Sequence, residues 1–256
     1  MNLNERQSDI LNWVQQVDYL SIETLVERFD VSAQTIRKDV NHLAQLHLVR
    51  RQHGGIALLS TAENIPFDDR HYLNGDIKQR IAEKLAVQIP DGASVFLGIG
   101  TTVEYVAKQL QQHKDLKVFT NNLTVAGIFS TIPAIQVRVT GGTLRHLHHD
   151  LVGEDTLQFI RQFYFDFGII GCGGLDESMG VLDFDPEEAL VSRAIIEHSR
   201  YIILACDRHK WGRKAMACVK SFEGVDHFVT DEVTPEQSTL LAKNNVKLTL
   251  SSSHDV

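Results

Sequence analysis

The chain has 256 residues, 43% of them hydrophobic and 23% charged, and a formal net charge of −8. That length suits one large or two modest domains able to bury a real core, and the composition excludes global disorder. The acidic sum excludes wholesale coating of nucleic acid, so any such contact must be a local basic patch. No apolar run reaches the ~18 residues that a bilayer-spanning helix needs. The opening "MNLNERQSDI" lacks a charged-then-apolar leader, which points to a cytoplasmic protein. Cys172, Cys206 and Cys218 are odd in number and lack metal-type spacing, and they read as reduced, mostly buried thiols.

Three short helical patterns open the chain. Asn4 and Gln7 form a capping-box pair, after which Ile10, Val14 and Val17 recur at helical spacing. Ser21 caps a second helix with Glu23 in its first turn and Ile22, Leu25, Val26 and Phe29 as its apolar stripe. After the turn "DVS", Ser32 caps a third helix whose core face is Ile36, Val40 and Leu43. Its other face carries Gln34, Lys38 and Asn41, flanked by Thr35 and Arg37. Two helices joined by a three-residue turn, the second polar and basic outward, predict a helix-turn-helix. "LVRRQHGGIALL" then reads as two β-runs around a Gly54-Gly55 turn, a hairpin decorated by Arg50, Arg51 and His53. Gln34 and Arg37 are of the types that read base edges, whereas Thr35, Lys38, Arg50 and Arg51 hold phosphates. Residues 32–58 set Arg37, Lys38, Arg50 and Arg51 against Asp39, and most of the acidity lies downstream. The plainer alternative is a solvated helix face beside a basic hairpin.

"LVERFDVSAQTIRKDVNHLAQLHLVRRQHGGIAL" resembles the N-terminal winged helix of DeoR-type bacterial transcription regulators, through Ser32, Thr35, Arg37, Asp39, Leu43 and Gly54-Gly55. The expected organisation is a winged helix-turn-helix over 1–59, a linker over 60–75 and a second domain over 76–256. The linker "STAENIPFDDRHYLNG" is polar, aperiodic and contains Pro66. Beyond it apolar β-runs alternate with helices. "IKQRIAEKLAVQI" is a helix and "SVFLGI" a strand; "TVEYVAKQLQQH" and "KVFT" repeat the pair, as do "NLTVAGIFSTI" and "IQVRVT". Strands are predicted at "DFGII", "YIILAC", "DHFVT" and "VKLTL", with helices at "EEALVSRAIIEHS" and "PEQSTLLAKNN". The fold class is therefore α/β with a largely parallel sheet.

Ligands of such sheets bind outside the carboxyl ends of the strands. Those ends read Gly98-Ile99-Gly100-Thr101-Thr102, Thr120-Asn121-Asn122, Thr140-Gly141-Gly142, Gly171-Cys172-Gly173-Gly174, and Asp207 with Lys210. Small residues admit a ligand close to the backbone, and Gly100 to Thr102 lead into a helix N-terminus that favours an anion. The loop has neither a third glycine at dinucleotide spacing nor a Gly-Lys-Ser/Thr. It resembles the phosphate loop of ribose-5-phosphate isomerase-like domains, the fold of the DeoR sensor domain. The resemblance spans about Arg6 to Leu250.

That resemblance implies effector contacts at Thr101, Thr102, Asn121, Gly141, Arg145, Gly153 and Lys210. Lys210 would neutralise a phosphate, and Asn121 would bond a sugar or glycerol hydroxyl. The strand-end reading adds Gly98, Gly100, Thr120, Asn122, Gly173 and Asp207. "TNNLTVA", "TGGTLR", "LVGEDTLQFI", "DFGIIG", "RAIIEHSR" and "RKAMA" resemble the branch of the family that responds to glycerol-3-phosphate, with another phosphosugar as the alternative. The chain departs from the family pattern where Gly98 stands for an acid and where Asp207-Arg208-His209-Lys210-Trp211-Gly212 lacks a serine.

An isomerase needs a carboxylate to move a proton beside the carbonyl. Enzymes of this fold carry Asp-Gly-Ala-Asp-Glu where this chain aligns Gly171-Cys172-Gly173-Gly174-Leu175, which argues against catalysis. Asp176, Asp183, Asp185, Glu187 and Glu188 remain as residual candidates or as a solvated acidic loop and helix start. "RHLHHD", with His146, His148, His149 and Asp150, lacks a second ligand group for a metal and reads as an exposed loop. The expectation is a DNA-binding repressor released from its operator by a small phosphorylated metabolite. It would need no cofactor and no catalytic residue, and it would act as a homodimer or homotetramer on paired half-sites.

Overall fold

The computed structural model describes residues 3–17, 19–46, 48–52, 54–58, 73–146 and 148–252. His53 and most of the expected linker lie outside the described residues. Contacts divide the chain into two compact units, 1–75 and 76–256.

In the first unit, α1 (Glu5–Val17) starts from a reciprocal cap: the Gln7 N–H donates to Asn4 Oδ1 at 2.9 Å, and the Asn4 N–H to Gln7 Oε1 at 3.1 Å. Ile10 and Val14 are fully buried, but Val17 is 47% exposed. The expected stripe ends early because Val17 is the last residue of α1 before the chain turns into a strand. That strand, β1 (Tyr19–Ser21), leads into α2 (Ile22–Phe29) and α3 (Ala33–Gln45). Ser21 accepts from the Thr24 N–H and Ser32 from the Thr35 N–H, so both expected caps are present. Asp30, in the left-handed region at φ 47°, closes α2 and turns the chain toward α3. Ile36, Val40 and Leu43 hold α3 on a core with Ile10, Leu25 and Leu48.

Strands β2 (Val49–Gln52) and β3 (Gly55–Leu58) form the expected hairpin, and β1 adds to β3 to give the order β1-β3-β2. The two glycines differ in role. Gly54 takes the positive φ of 72° at the turn. Gly55 instead lets β1 approach, since a side-chain carbon there would run into the Leu20 carbonyl and lie 2.9 Å from the Ser21 Cα.

The second unit starts with α4 (Gly75–Ala86) and alternates β4 (Ser94–Leu97), α5 (Thr101–Leu110), β5 (Lys117–Thr120), α6 (Leu123–Phe129) and β6 (Gln136–Val139). A hairpin follows, β7 (Thr143–Arg145) and β8 (Asp150–Val152), then α7 (Glu154–Arg161) and β9 (Phe165–Ile170). The short strands β10 (Gly174–Asp176) and β11 (Gly180–Asp183) precede α8 (Pro186–Glu197) and β12 (Ser199–Ala205). The chain ends in β13 (Ala217–Lys220), β14 (His227–Thr230), α9 (Pro235–Lys243) and β15 (Lys247–Leu250).

Seven strands pair in parallel in the order β15-β14-β12-β9-β4-β5-β6. Both faces are apolar. Val95, Leu97, Ile203 and Ala205 pack with α4, α5 and α6, while Phe96, Ile202 and Leu204 pack with α7, α8 and α9. Burial on both faces is why these strands read as continuous apolar runs. Among the described residues no helix is long and apolar enough to cross a membrane. The cysteines are free, but only Cys206 is buried. Cys172 and Cys218 are half-buried, which corrects the expectation of mostly buried thiols.

Candidate functional site

On the first unit, Gln34, Arg37, Lys38 and Asn41 are all exposed on the side of α3 opposite its buried stripe. Ser32 is exposed at the cap and Thr35 half-buried beside it, and Arg50 and Arg51 stand exposed on β2. The back of α3 is fixed by a residue whose role composition does not reveal. Asp39 is 4% exposed and accepts from Arg6 Nε at 2.6 Å and Gln7 Nε2 at 2.9 Å. These charge-assisted bonds tie α3 to α1 and leave its outward face clear.

On the second unit, strand order reverses at the centre of the sheet. From β4 the chain runs outward through β5 to β6, and from β9 it runs the other way through β12 to β14 and β15. In sheets of this order a ligand crevice is expected at the reversal, here at the carboxyl ends of β4 and β9. Glycines let the two loops meet there: a side-chain carbon on Gly171 would come 3.2 Å from the Ile99 carbonyl, and one on Gly98 3.3 Å from the Ile169 carbonyl. Gly100 caps α5 at φ 122° with no side-chain acceptor, so the first-turn N–H groups of α5 keep their partial positive charge. Thr101 and Thr102 in that turn are each 6% exposed.

The next strand over, β12, ends in Cys206 and Asp207. Burial works against the Asp207 charge, but a hydrogen bond with His209 and the charges of Lys210 and Lys78 outweigh it and hold the carboxyl well below its usual range. Lys78 was absent from the sequence expectations. It is 4% exposed and reaches this group from α4. Its signal was legible, since Lys78 stands three and four residues before Ile81 and Ala82, on the stripe that α4 buries. This end of the sheet therefore carries a helix N-terminus without a side-chain cap, and two lysines beside the Asp207 carboxylate.

Several expected contacts are engaged by the protein itself. Thr120 Oγ1 donates to the Leu97 carbonyl at 2.6 Å and accepts from the Asn122 N–H at 3.0 Å. Asn122 Oδ1 caps α6 by accepting from Thr124 and Val125, and its Nδ2 donates to Glu104 at 3.1 Å. Asn121 Nδ2 donates to the Leu151 carbonyl at 2.9 Å, but its buried Oδ1 has no hydrogen-bond partner among the described residues. The Thr140 hydroxyl is in the same position. The Gly141 carbonyl accepts from Thr156, and Gly153 opens α7 at φ 98°.

Arg145 lies under three carboxylates. It meets Asp150 in a two-pronged contact at 2.6 and 3.1 Å, and Asp185 and Glu188 each at 2.7 Å. His148 faces the same Glu188 at 3.6 Å. Burial, with Glu188 alongside, pushes Asp150 upward although Arg145 pulls the other way. The acids expected as a solvated loop and helix start divide. Asp183 is 5% exposed and Glu188 3%, because α8 turns Glu188 inward and β11 is covered on both sides. Burial and then the Glu188 carboxylate push Asp183 well above the usual range. Asp176 organises a turn by accepting from the Ser178 N–H, and Asp185 caps α8 by accepting from the Glu187 N–H, at the helix start expected for it. Gly173 and Gly174 are sterically required, since a side-chain carbon on Gly173 would lie 2.9 Å from Asp183 Oδ1, and one on Gly174 would strike the Arg213 carbonyl.

Residues 6–62 match the family described as "DeoR-like helix-turn-helix domain", and residues 73–232 match "DeoR C terminal sensor domain". The glycerol-3-phosphate regulon repressor of Escherichia coli strain K12 is 44% identical over 235 residues, covering 92% of this chain and 93% of that protein. Its namesake from Haemophilus influenzae is 41% identical over 250 residues, 98% of each. The HTH-type transcriptional repressor CsqR of Escherichia coli strain K12 is 34% identical, covering 91% of this chain and 89% of that one. Among solved structures, a D-ribose-5-phosphate isomerase in complex with phospho-erythronic acid matches at a TM-score of 0.41 and 14% identity, over 54% of each chain. With a DeoR-like helix-turn-helix unit followed by a DeoR sensor unit, and relatives above 40% identity across nearly its whole length, the chain belongs to the DeoR family of transcription regulators.

Proposed function

We propose that the chain is a transcriptional repressor whose operator affinity falls when a small phosphorylated metabolite, glycerol-3-phosphate first among them, occupies the crevice between β4 and β9. The observation that carries the reading is the chemistry of that crevice: the uncapped start of α5 with Lys78 and Lys210 nearby suits a phosphate ester. The names of the relatives point to the same metabolite. The Asn121 side-chain oxygen, buried and without a hydrogen-bond partner among the described residues, is of a type that accepts from a ligand hydroxyl. Gln34 and Arg37 would read bases, while Thr35, Lys38, Arg50 and Arg51 hold the backbone. Two copies per operator would place paired helices on paired half-sites.

Release requires the metabolite to favour a weakly binding arrangement, with a coupling of about 1–3 kcal/mol. The test is a titration of the operator complex at fixed salt against glycerol-3-phosphate, other phosphosugars and unphosphorylated glycerol, with turnover followed in parallel. Release by glycerol-3-phosphate alone supports the reading. Release by another phosphosugar reassigns the ligand, and turnover of any panel member refutes the non-enzymatic role.

A further inference from the structure

The two cysteines nearest the crevice share a geometry that neither the family match nor the ligand accounts for. Strands β9 and β12 are parallel neighbours whose register runs to Ile170 opposite Leu204. Continued two residues past that paired span, the same register sets Cys172 opposite Cys206, each just beyond the carboxyl end of its strand. Side chains two apart share a face, and Cys206 packs in the same apolar cluster as Ile170 and Leu204, with Cys172 against it. Each thiol shifts the other's proton affinity, Cys172 downward and Cys206 upward. Neighbouring strands lie about 4.8 Å apart, inside the Cα separation of about 4.4–6.8 Å that a disulfide spans. Cys172 is half-buried and Cys206 only 1% exposed.

We propose that Cys172 and Cys206 form a peroxide-oxidisable pair, in which Cys172 is attacked first and Cys206 closes an intramolecular disulfide on the floor of the crevice. The chemistry balances as a two-electron oxidation. The Cys172 thiolate displaces hydroxide from hydrogen peroxide to give a sulfenic acid, and its proton accompanies the hydroxide as water. The Cys206 sulfur then attacks that sulfur, and the sulfenic oxygen leaves as a second water carrying the Cys206 proton. The surroundings divide the roles the same way. The hydrogen bond from Cys206 and the charge of Lys210 draw Cys172 below the usual thiol value, whereas burial and the Cys172 sulfur push Cys206 well above it. Asp207 opposes the thiolate and Arg213 supports it. The bridge would lock the Gly171–Gly173 loop to the start of the Asp207–Lys210 turn. The inference concerns thiol chemistry and stands whether or not the crevice takes a phosphate.

The test uses the full chain, titrated with hydrogen peroxide, quenched by alkylation and mapped by proteolysis and mass spectrometry. The expected product is a dithiothreitol-reversible Cys172–Cys206 peptide within one chain, with Cys218 still alkylated. Cys172 should react about tenfold faster than in the urea-unfolded chain. In Cys206→Ser, dimedone should trap a sulfenic acid on Cys172 at close to the original rate, because the hydroxyl still donates. Cys206→Ala should trap it more slowly, and Cys172→Ser should leave Cys206 reduced. Oxidation of Cys218 before Cys172, a bridge between two chains, or reaction no faster than in the unfolded chain would each overturn the proposal.

Discussion

Asn122→Ala separates a residue that frames the crevice from one that touches a ligand. Asn122 is fully buried, and its side chain makes three bonds, to two N–H groups of α6 and to the Glu104 carboxylate. Loss of a helix cap costs about 0.5–2 kcal/mol, and loss of a hydrogen bond to a charged partner about 1.5–3 kcal/mol. Both arise from one side chain and do not add fully, so the expected destabilisation is about 2–4 kcal/mol. For a unit of roughly 150–250 residues each kcal/mol moves the transition by about 2–4 °C. Calorimetry of the full chain should therefore show the larger unit melting about 6–12 °C lower at the middle of that range. The upward shift produced by saturating glycerol-3-phosphate should be unchanged, since a framing residue alters folding without altering affinity. A melting point within about 2 °C of the parent, together with loss of the metabolite-induced shift, would refute the framing role and make Asn122 a contact.

Three further outcomes bear on the sites. Arg37→Ala should cost about 1–3 kcal/mol of discrimination at its base position, whereas Arg50→Ala should weaken all sequences alike and lower the salt slope by about one; competition and salt-titration measurements distinguish them. Thr101→Asp places a carboxylate in the first turn of α5 and should raise the metabolite concentration needed for operator release, as followed by fluorescence anisotropy. Burial and the charge of Lys247 draw His227 down to about 4 from its ordinary 6.5, so it stays neutral in the folded state while the unfolded chain takes up a proton. Stability should accordingly fall as pH drops from 6.5 toward 4, and urea midpoints of His227→Gln should show a shallower fall over that window.

The elements legible in the sequence are those whose signal is local. Ser21, Ser32 and Asn4 announce helix starts through short-range hydrogen bonds, and doubly buried strands such as Lys117–Thr120 announce themselves as apolar runs. The short pieces were not legible. Strands Tyr19–Ser21, Thr143–Arg145 and Gly174–Asp176 have three residues each, too few for a period, and exist because a partner strand lies alongside. The helix Glu154–Arg161 follows a glycine without a side-chain cap, so its start is marked only by the acids Glu154 and Asp155. The site shows the same division. Strand ends could be found by position, but whether an amide or guanidinium faces a ligand depends on distant partners. Beyond Asp150 across its own hairpin, Arg145 is matched by Asp185 and Glu188, some forty residues on, and Asn121 by a hairpin thirty residues away. Such pairings are set by tertiary packing and leave no trace in the spacing of nearby residues.

The glycines after β9 carry an evolutionary consequence. A side chain on Gly174 would strike the backbone of Arg213, and one on Gly173 would crowd Asp183 Oδ1 at 2.9 Å, so a carboxylate at either position requires neighbours to shift. At Gly174 the part that must yield is the segment after β12, which also carries Lys210 and the turn capped by Asp207. An acid at Gly174 would thus disturb the Lys210 turn before it could be seated. The packing works as a ratchet, lengthening the mutational path to an acid at that position.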